Sequence, residues 1–228
     1  MGRKNKLKRF AEVASFPNVF ESVPTQATFL SNQEGICQDL RGNWSGSHFE
    51  NDHPLILELA CGKGDYTLAL AKEHAENNYI GVDIKGSRIW KGAKTALETA
   101  LQNVAFLRTR IEFIERFFDK EEVDQIWITF PDPFEGKPNR RLTSAPFLER
   151  FRSILKKGGI VHLKTDSKLL YEFTLEVIHS DPNCKVLYAN PDIYSMPLAF
   201  PELDHKTFYE IQHLGIGRTI KYIRYTIH

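Results

Sequence analysis

The chain has 228 residues, 42% hydrophobic and 26% charged, with 30 Lys and Arg against 29 Asp and Glu. That length suffices for one domain with its own core, and the composition is ordinary for a soluble globular protein. A formal net charge of +1 decides nothing about nucleic acid, because a binder needs its positive charge concentrated locally.

Cys37, Cys61 and Cys184 are scattered without a Cys-x-x-Cys pair. That pattern excludes a disulfide framework and a zinc signature and suits a reducing cytoplasm. The eight histidines show no metal-ligand spacing, so no metal is expected. No apolar run approaches the ~18 residues of a membrane span. The basic start is followed by Phe10-Ala11-Glu12-Val13, not by the apolar core of a secretion signal.

Residues 1 to 50 lack strong periodicity and carry Arg3, Lys4, Lys6, Lys8 and Arg9 near the start. These five are either an arm that orders on RNA phosphates or a disordered tail. From His53 onward short apolar runs alternate with helical patterns, the signature of βαβ units around a mostly parallel sheet. The predicted strands are 55–59, 79–83, 104–108, 125–130 and 160–165, with two more at 185–189 and 220–227. The predicted helices are 66–74, 87–101, 111–118, 144–155 and 168–179. Within 111–118, Ile111, Ile114, Phe117 and Phe118 share one face. Lys156-Lys157-Gly158-Gly159 is expected to stop the fourth helix, with cations at its negative end and glycine in a left-handed cap.

The first strand ends in Glu58, and Gly62-Lys63-Gly64 precedes the next helix. Glycines there let backbone approach a ligand at the carboxyl edge of the sheet, where open α/β folds bind. A dinucleotide fingerprint needs glycine at position 67, where Thr67 stands, so a pyrophosphate cofactor is disfavoured. Asp83 ends the second strand, nineteen positions after Gly64, in the right place to accept from two ribose hydroxyls. Glu58 suits a cationic ligand such as a sulfonium with its ammonium group. A turn with two solvated acids is the bland alternative; the placement of loop, strand and second acid favours nucleoside binding.

The fourth strand closes with Phe130-Pro131-Asp132-Pro133. A residue before proline is pushed towards extended geometry, which restricts Phe130 and Asp132. A carboxylate held stiffly at the ligand edge is what positional catalysis requires, although Pro-Asp-Pro also suits a plain turn. The basic run Lys137-Pro138-Asn139-Arg140-Arg141-Leu142 beside it reads as a phosphate-contacting loop or as a solvated charge run.

These residues resemble the tRNA (guanine-N7)-methyltransferase family of the bacterial TrmB type over nearly the whole chain. The resemblance rests on Glu58 to Gly64, Gly81-Val82-Asp83, Asn103-Val104, Phe130 to Pro133, Arg140-Arg141-Leu142-Thr143, Lys156 to Gly159, Lys164-Thr165-Asp166 and Thr207-Phe208-Tyr209-Glu210. It implies an α/β, Rossmann-like S-adenosylmethionine-dependent methyltransferase fold, with a mostly parallel central sheet flanked by helices. Residues 51–228 would be the methyltransferase domain and 1–50 a basic extension packing on or flanking it. The implied reaction carries a methyl group from S-adenosyl-L-methionine to N7 of the variable-loop guanine of tRNA, position 46.

The resemblance makes Asp132 the catalytic residue and places Glu58, Gly62, Gly64, Asp83, Arg110 and Asp132 at the cofactor. It assigns Lys137, Asp166, Thr207, Phe208, Tyr209 and Glu210 to the substrate. The chain departs from the family at Arg110-Ile111, where Asp-Ala is usual near the adenine, at Phe134, where Trp is usual, and at Gly136, often Lys. Guanine N7 carries a free lone pair, so no strong base is needed, and alignment with a fixed carboxylate beside the developing cation carries the chemistry. One carboxylate, Glu210 or Asp166, can accept from guanine N1–H and N2–H2 together.

Two other readings remain: a methyltransferase acting on a base amine or small molecule, and a non-catalytic RNA-binding module with a decayed cofactor pocket. The partner expected is tRNA, with no membrane, and the oligomeric state is open between monomer and homodimer.

Overall fold

The computed structural model describes residues 3–22, 28–33, 35 and 37–228, with the side chains of residues 3–7 and 37 outside that description. In chain order the elements are α1 (Arg3–Val13), β1 (Val19–Ser22), β2 (Leu30–Ser31), β3 (Cys37–Gln38), α2 (Trp44–Ser47), β4 (Leu55–Leu59), α3 (Asp65–Glu73), β5 (Asn78–Asp83), α4 (Gly86–Glu98) and β6 (Val104–Arg108). A 3-10 turn (Ile111–Arg116), β7 (Val123–Thr129) and a second 3-10 turn (Pro138–Arg140) follow. The chain continues with α5 (Ala145–Ile154), β8 (Leu155–Thr165), α6 (Lys168–Ser180), β9 (Cys184–Asn190), a third 3-10 turn (Pro201–Asp204), α7 (Phe208–Gly215) and β10 (Lys221–Ile227).

The strands form one sheet in the order β3-β2-β1-β6-β5-β4-β7-β8-β10-β9. The run from β1 through β8 in that order is parallel, while β10 is antiparallel to both β8 and β9. Both faces are covered, which explains the nearly unbroken apolar strands. Along β4, Leu55, Leu57 and Leu59 join one core cluster with Phe147, Phe151 and Ile154 of α5 and Leu170 and Ile178 of α6. Ile56 points the other way, joining Tyr66 and Leu70 of α3 and Ile89, Ala93 and Ala96 of α4. Each such large side chain contributes about 1.5–3 kcal/mol by leaving water.

The first fifty residues contribute strands to this sheet, because β1 pairs parallel with β6, Val19 opposite Phe106. Asn18 fixes the entry, its side chain donating to Ala93 O at 3.1 Å and its carbonyl accepting from Phe106 N at 2.8 Å. The helix α1 packs by Trp90, whose indole donates to Glu12 at 2.7 Å while Arg9 lies 4.3 Å over its ring. Of the basic cluster, the side chains of Arg3, Lys4 and Lys6 lie outside the described residues.

Three expectations of local structure are corrected. Lys156 to Gly159 does not cap a helix, since α5 ends at Ile154 and Leu155 is already extended at φ −71, ψ 143. The four residues instead bulge from β8, because Val123 pairs with Leu155 and Gln125 with Ile160. Lys156 closes the bulge by reaching Asp124 at 2.8 Å, and Gly158 takes a left-handed turn at φ +77. The segment from Ile111 is a 3-10 turn that ends at Arg116, although Ile114, Phe117 and Phe118 are buried as a shared face requires. Phe130 is not extended: its φ is +48.

Candidate functional site

A cleft of about 790 Å³ opens at the carboxyl ends of the parallel strands, lined by Glu58 near the end of β4, by Asp83 and Thr129 at the ends of β5 and β7, and by Thr109 just after β6. This is where a doubly wound sheet binds its ligand. Gly62 and Gly64 both adopt positive φ, +59 and +70, as the loop after β4 turns into α3. Gly62 lines the cleft and donates its N–H to Asp83 Oδ2 at 3.0 Å. Gly64 does not line it. A Cβ there would lie 2.6 Å from the ring of Phe106, a fully buried side chain.

Gly64→Ala therefore combines a left-handed residue, costing about 1–2 kcal/mol, with overpacking of about 1–3 kcal/mol. We expect Tm to fall by several degrees and cofactor affinity to fall with it. An unchanged Tm in a thermal melt would show that the loop re-forms around the added methyl group.

Asp83 is buried and organised by backbone, accepting from Gly62 and from Lys85 N at 2.7 Å. Glu58, 5% exposed, accepts from Thr67 N at 2.8 Å, from the Thr67 hydroxyl, and from Thr129 Oγ1 at 2.7 Å. Burial still prevails over these hydrogen bonds and pushes its carboxyl up to about 7. A cation joining such a group shifts it towards the anion at neutral pH. Thr67, which denies the loop a third glycine, is thus what holds Glu58 in place.

Arg110 lines the cleft, but its side chain is more than half exposed and pairs with Glu112 at 3.2 Å. Thr109, Ile111 and Glu112 line the same end, and the Thr109 hydroxyl is buried with no hydrogen-bond partner. The cleft therefore offers acceptors, Glu112 and Thr109, beside the position that Arg110 occupies. Neither was legible in the sequence, because only the course of the 3-10 turn brings Glu112 to the wall.

Asp132 is exposed on the cleft wall and accepts from Phe134 N at 3.1 Å. Its loop is held from below. Arg141, 5% exposed, donates to Pro133 O at 2.8 Å and lies within 3.4 Å of Phe134 O and Glu135 O, its guanidinium 4.3 Å over the ring of Phe173. The Arg140-Arg141 pair thus divides. Arg141 is a buried clamp and not a phosphate contact, whereas Arg140 lines the cleft with its guanidinium 5.0 Å from the Phe134 ring. Lys137 is exposed and is not part of the lining. Phe130 takes its left-handed conformation, a strain of about 1–3 kcal/mol, under a hydrogen bond from its N–H to Lys164 O at 2.8 Å.

The far wall is the start of α7. Thr207 is its N-cap and Glu210 completes a capping box. Thr207, Phe208 and Tyr209 line the cleft, with Phe208 and Tyr209 nearly half exposed and Lys63 reaching 4.5 Å over the Phe208 ring. Glu210 is turned inward and is 0% exposed. Its carboxylate is engaged inside the fold, by Lys164 at 2.9 Å and by Tyr194 OH at 2.7 Å. Asp166 is also outside the lining. It pairs with Arg218, and His213, which does line the cleft, lies 3.5 Å from it.

The groups present fit S-adenosyl-L-methionine: a buried carboxylate wanting a cation, a backbone-fixed carboxylate one strand over, and an unpartnered hydroxyl at the third strand end. Among the described residues no group of His, Cys, Asp or Glu is arranged to hold a metal, and no helix is long and apolar enough to cross a membrane.

Residues 52–221 match the family model described as a putative methyltransferase. The chain is 48% identical over 230 residues to a tRNA (guanine-N(7)-)-methyltransferase of Christiangramia forsetii, covering 100% of both chains. It is 46% identical to the protein of the same name from Bacteroides thetaiotaomicron, over 98% of this chain and 86% of that one. Among solved structures, a 16S rRNA methyltransferase, KamB, superposes with TM-score 0.62 over 84% of this chain and 96% of its own. At 14% identity that likeness concerns the fold alone. Sheet order, cleft and full-length relatives agree, and the chain belongs to the tRNA (guanine-N(7)-)-methyltransferase family.

Proposed function

We propose that this protein methylates N7 of guanine in tRNA with S-adenosyl-L-methionine as donor, and that the guanine is the variable-loop residue at position 46. The observation that carries the reading is the cleft itself, which combines a buried acidic end, Glu58 and Asp83, with Asp132 on one wall and two exposed aromatic side chains, Phe208 and Tyr209, on the other. When bound, S-adenosyl-L-methionine supplies an electrophilic methyl on a sulfonium, which becomes a neutral thioether as the guanine N7 lone pair takes the methyl.

Glu58 balances the positive charge of the donor, and Asp83 accepts from the ribose hydroxyls with the lone pairs its backbone donors leave free. Asp132 faces the purine, which gains positive charge as N7 is alkylated, and a fixed carboxylate there stabilises that charge. Phe208, Tyr209 and Phe134 offer π-faces to an unstacked base. Lys63, Arg88, Arg110 and Arg140 line the cleft and supply cations for the flanking phosphates. The reaction belongs in the cytoplasm, with tRNA.

Incubation with methyl-labelled donor and bulk tRNA, followed by nucleoside analysis, tests the reading. Label is expected in 7-methylguanosine, at a single position on chain scission. Label on N6 of adenine, or none in tRNA, overturns it.

A further inference from the structure

Lys164 and Glu210 form an ion pair whose two side chains are both 0% exposed and 2.9 Å apart. The three donors of the ammonium are all engaged, with Leu203 O and His205 O at 2.9 Å each besides Glu210. Glu210 in turn accepts from Tyr194 OH at 2.7 Å and from Thr207 N at 3.3 Å. The pair therefore ties β8 to the turn at Pro201–Asp204, to the loop bearing Tyr194 and to the first turn of α7. The backbone of Lys164 also accepts from Phe130 N at 2.8 Å, one peptide before the Pro-Asp-Pro loop. One residue thus touches both walls of the cleft.

A buried ion pair is a poor device for stability alone, since apolar groups of the same volume usually serve as well or better. It does fix direction. The eight-residue α7 is too short to hold itself and leaves Phe208, Tyr209 and Ile211 exposed. Its inner anchor is Glu210.

We propose that the buried Lys164–Glu210 pair, steadied by Tyr194, is a positioning device that sets Thr207, Phe208 and Tyr209 opposite Asp132, and that Glu210 does not touch the base. This rests on the reading that those three residues receive the guanine. Lys164 becomes a positioning residue on the same terms, acting through α7 and never on substrate.

The test uses Lys164→Met, Glu210→Gln, their double variant and Tyr194→Phe in the full chain. Hydrogen exchange of the α7 amides, cofactor affinity by calorimetry, and kcat and KM with tRNA are measured for each. Both single variants of the pair are expected to speed α7 exchange and to lower kcat/KM by roughly ten- to a hundredfold, with cofactor affinity unchanged. The double variant should be no worse than either single, since one device is removed twice. Tyr194→Phe should act in the same direction but less.

Transcripts with inosine at the target position, which lacks the N2 amine, separate positioning from base reading. The inosine penalty should be the same in wild type and in Glu210→Gln. Loss of that penalty in Glu210→Gln, with α7 exchange unaltered, would place the carboxylate on the base and overturn the proposal. Unaltered exchange and turnover in Glu210→Gln and Tyr194→Phe would overturn it as well, whether or not Lys164→Met folds. Should the wild type transfer nothing to tRNA, the function fails while the exchange data still judge the anchor.

Discussion

Asp132→Ala is expected to slow methyl transfer by about 10²–10³-fold while leaving tRNA affinity close to that of wild type. The magnitude is that of removing one preorganised electrostatic interaction from a transition state, about 3–4 kcal/mol. The geometry supports a selective effect. Asp132 is an exposed side chain on a wall held by other residues, namely Arg141 through the backbone of Pro133 and Lys164 through that of Phe130. Removing its carboxylate takes away only an acceptor from Phe134 N. The loop therefore stays in place and the RNA still docks on the cations and aromatic faces around it. Single-turnover kinetics under saturating donor, with filter binding of tRNA alongside, measure the two quantities separately. Turnover within about tenfold of wild type would refute the role given to Asp132.

Glu58→Gln should make the apoprotein more stable above neutral pH and the cofactor weaker. The carboxyl titrates near 4.5 when unfolded and near 7 in the fold, because burial outweighs its two threonine partners. Stability from the protonated form is fully present below about pH 4.5 and is lost as pH rises through 7. Above that the ionised side chain costs the empty protein about 3 kcal/mol, from a displacement of roughly 2.5 pH units. Glutamine cannot ionise, so its advantage in Tm should grow from pH 5 to pH 8.

The donor reverses the preference, since its sulfonium and ammonium stabilise the anion. Wild-type affinity should rise through pH 7 with proton release, detectable as a buffer-dependent binding enthalpy. In Glu58→Gln the affinity should fall by roughly ten- to a hundredfold and lose that pH dependence, as expected when one charge-assisted interaction is removed. Equal proton release in both proteins would assign the titration to another group.

Much of this was legible because it is written in local chemistry. The runs at Leu55, Val104 and Ile160 show the parallel strands through continuous apolarity, and Gly62, Gly64 and Asp83 mark the ligand edge through residue types that few other backbones require. The first fifty residues carried no such signal. Val19 and Phe20 make a strand only because β6 has an open edge to receive them. Lys156 to Gly159 misled because a glycine pair after a helix suits a cap as well as a bulge, and only the pairing of Val123 and Gln125 decides between them.

The sequence by itself therefore determined the fold class and placed the Glu58 to Gly64 loop, Asp83 and the Pro-Asp-Pro segment at the carboxyl edge of the sheet. Each depends on backbone geometry or on residues close along the chain. Tertiary structure alone decided which charges face the cleft. It buried Arg141 under the loop and Glu210 against Lys164, left Asp132 and Arg140 on the wall, and brought Thr67 and Thr129 onto Glu58. A charged side chain reads the same in sequence whether it meets water, a ligand or a buried partner. Desolvation and the partner that offsets it exist only once the strands and α7 have come together.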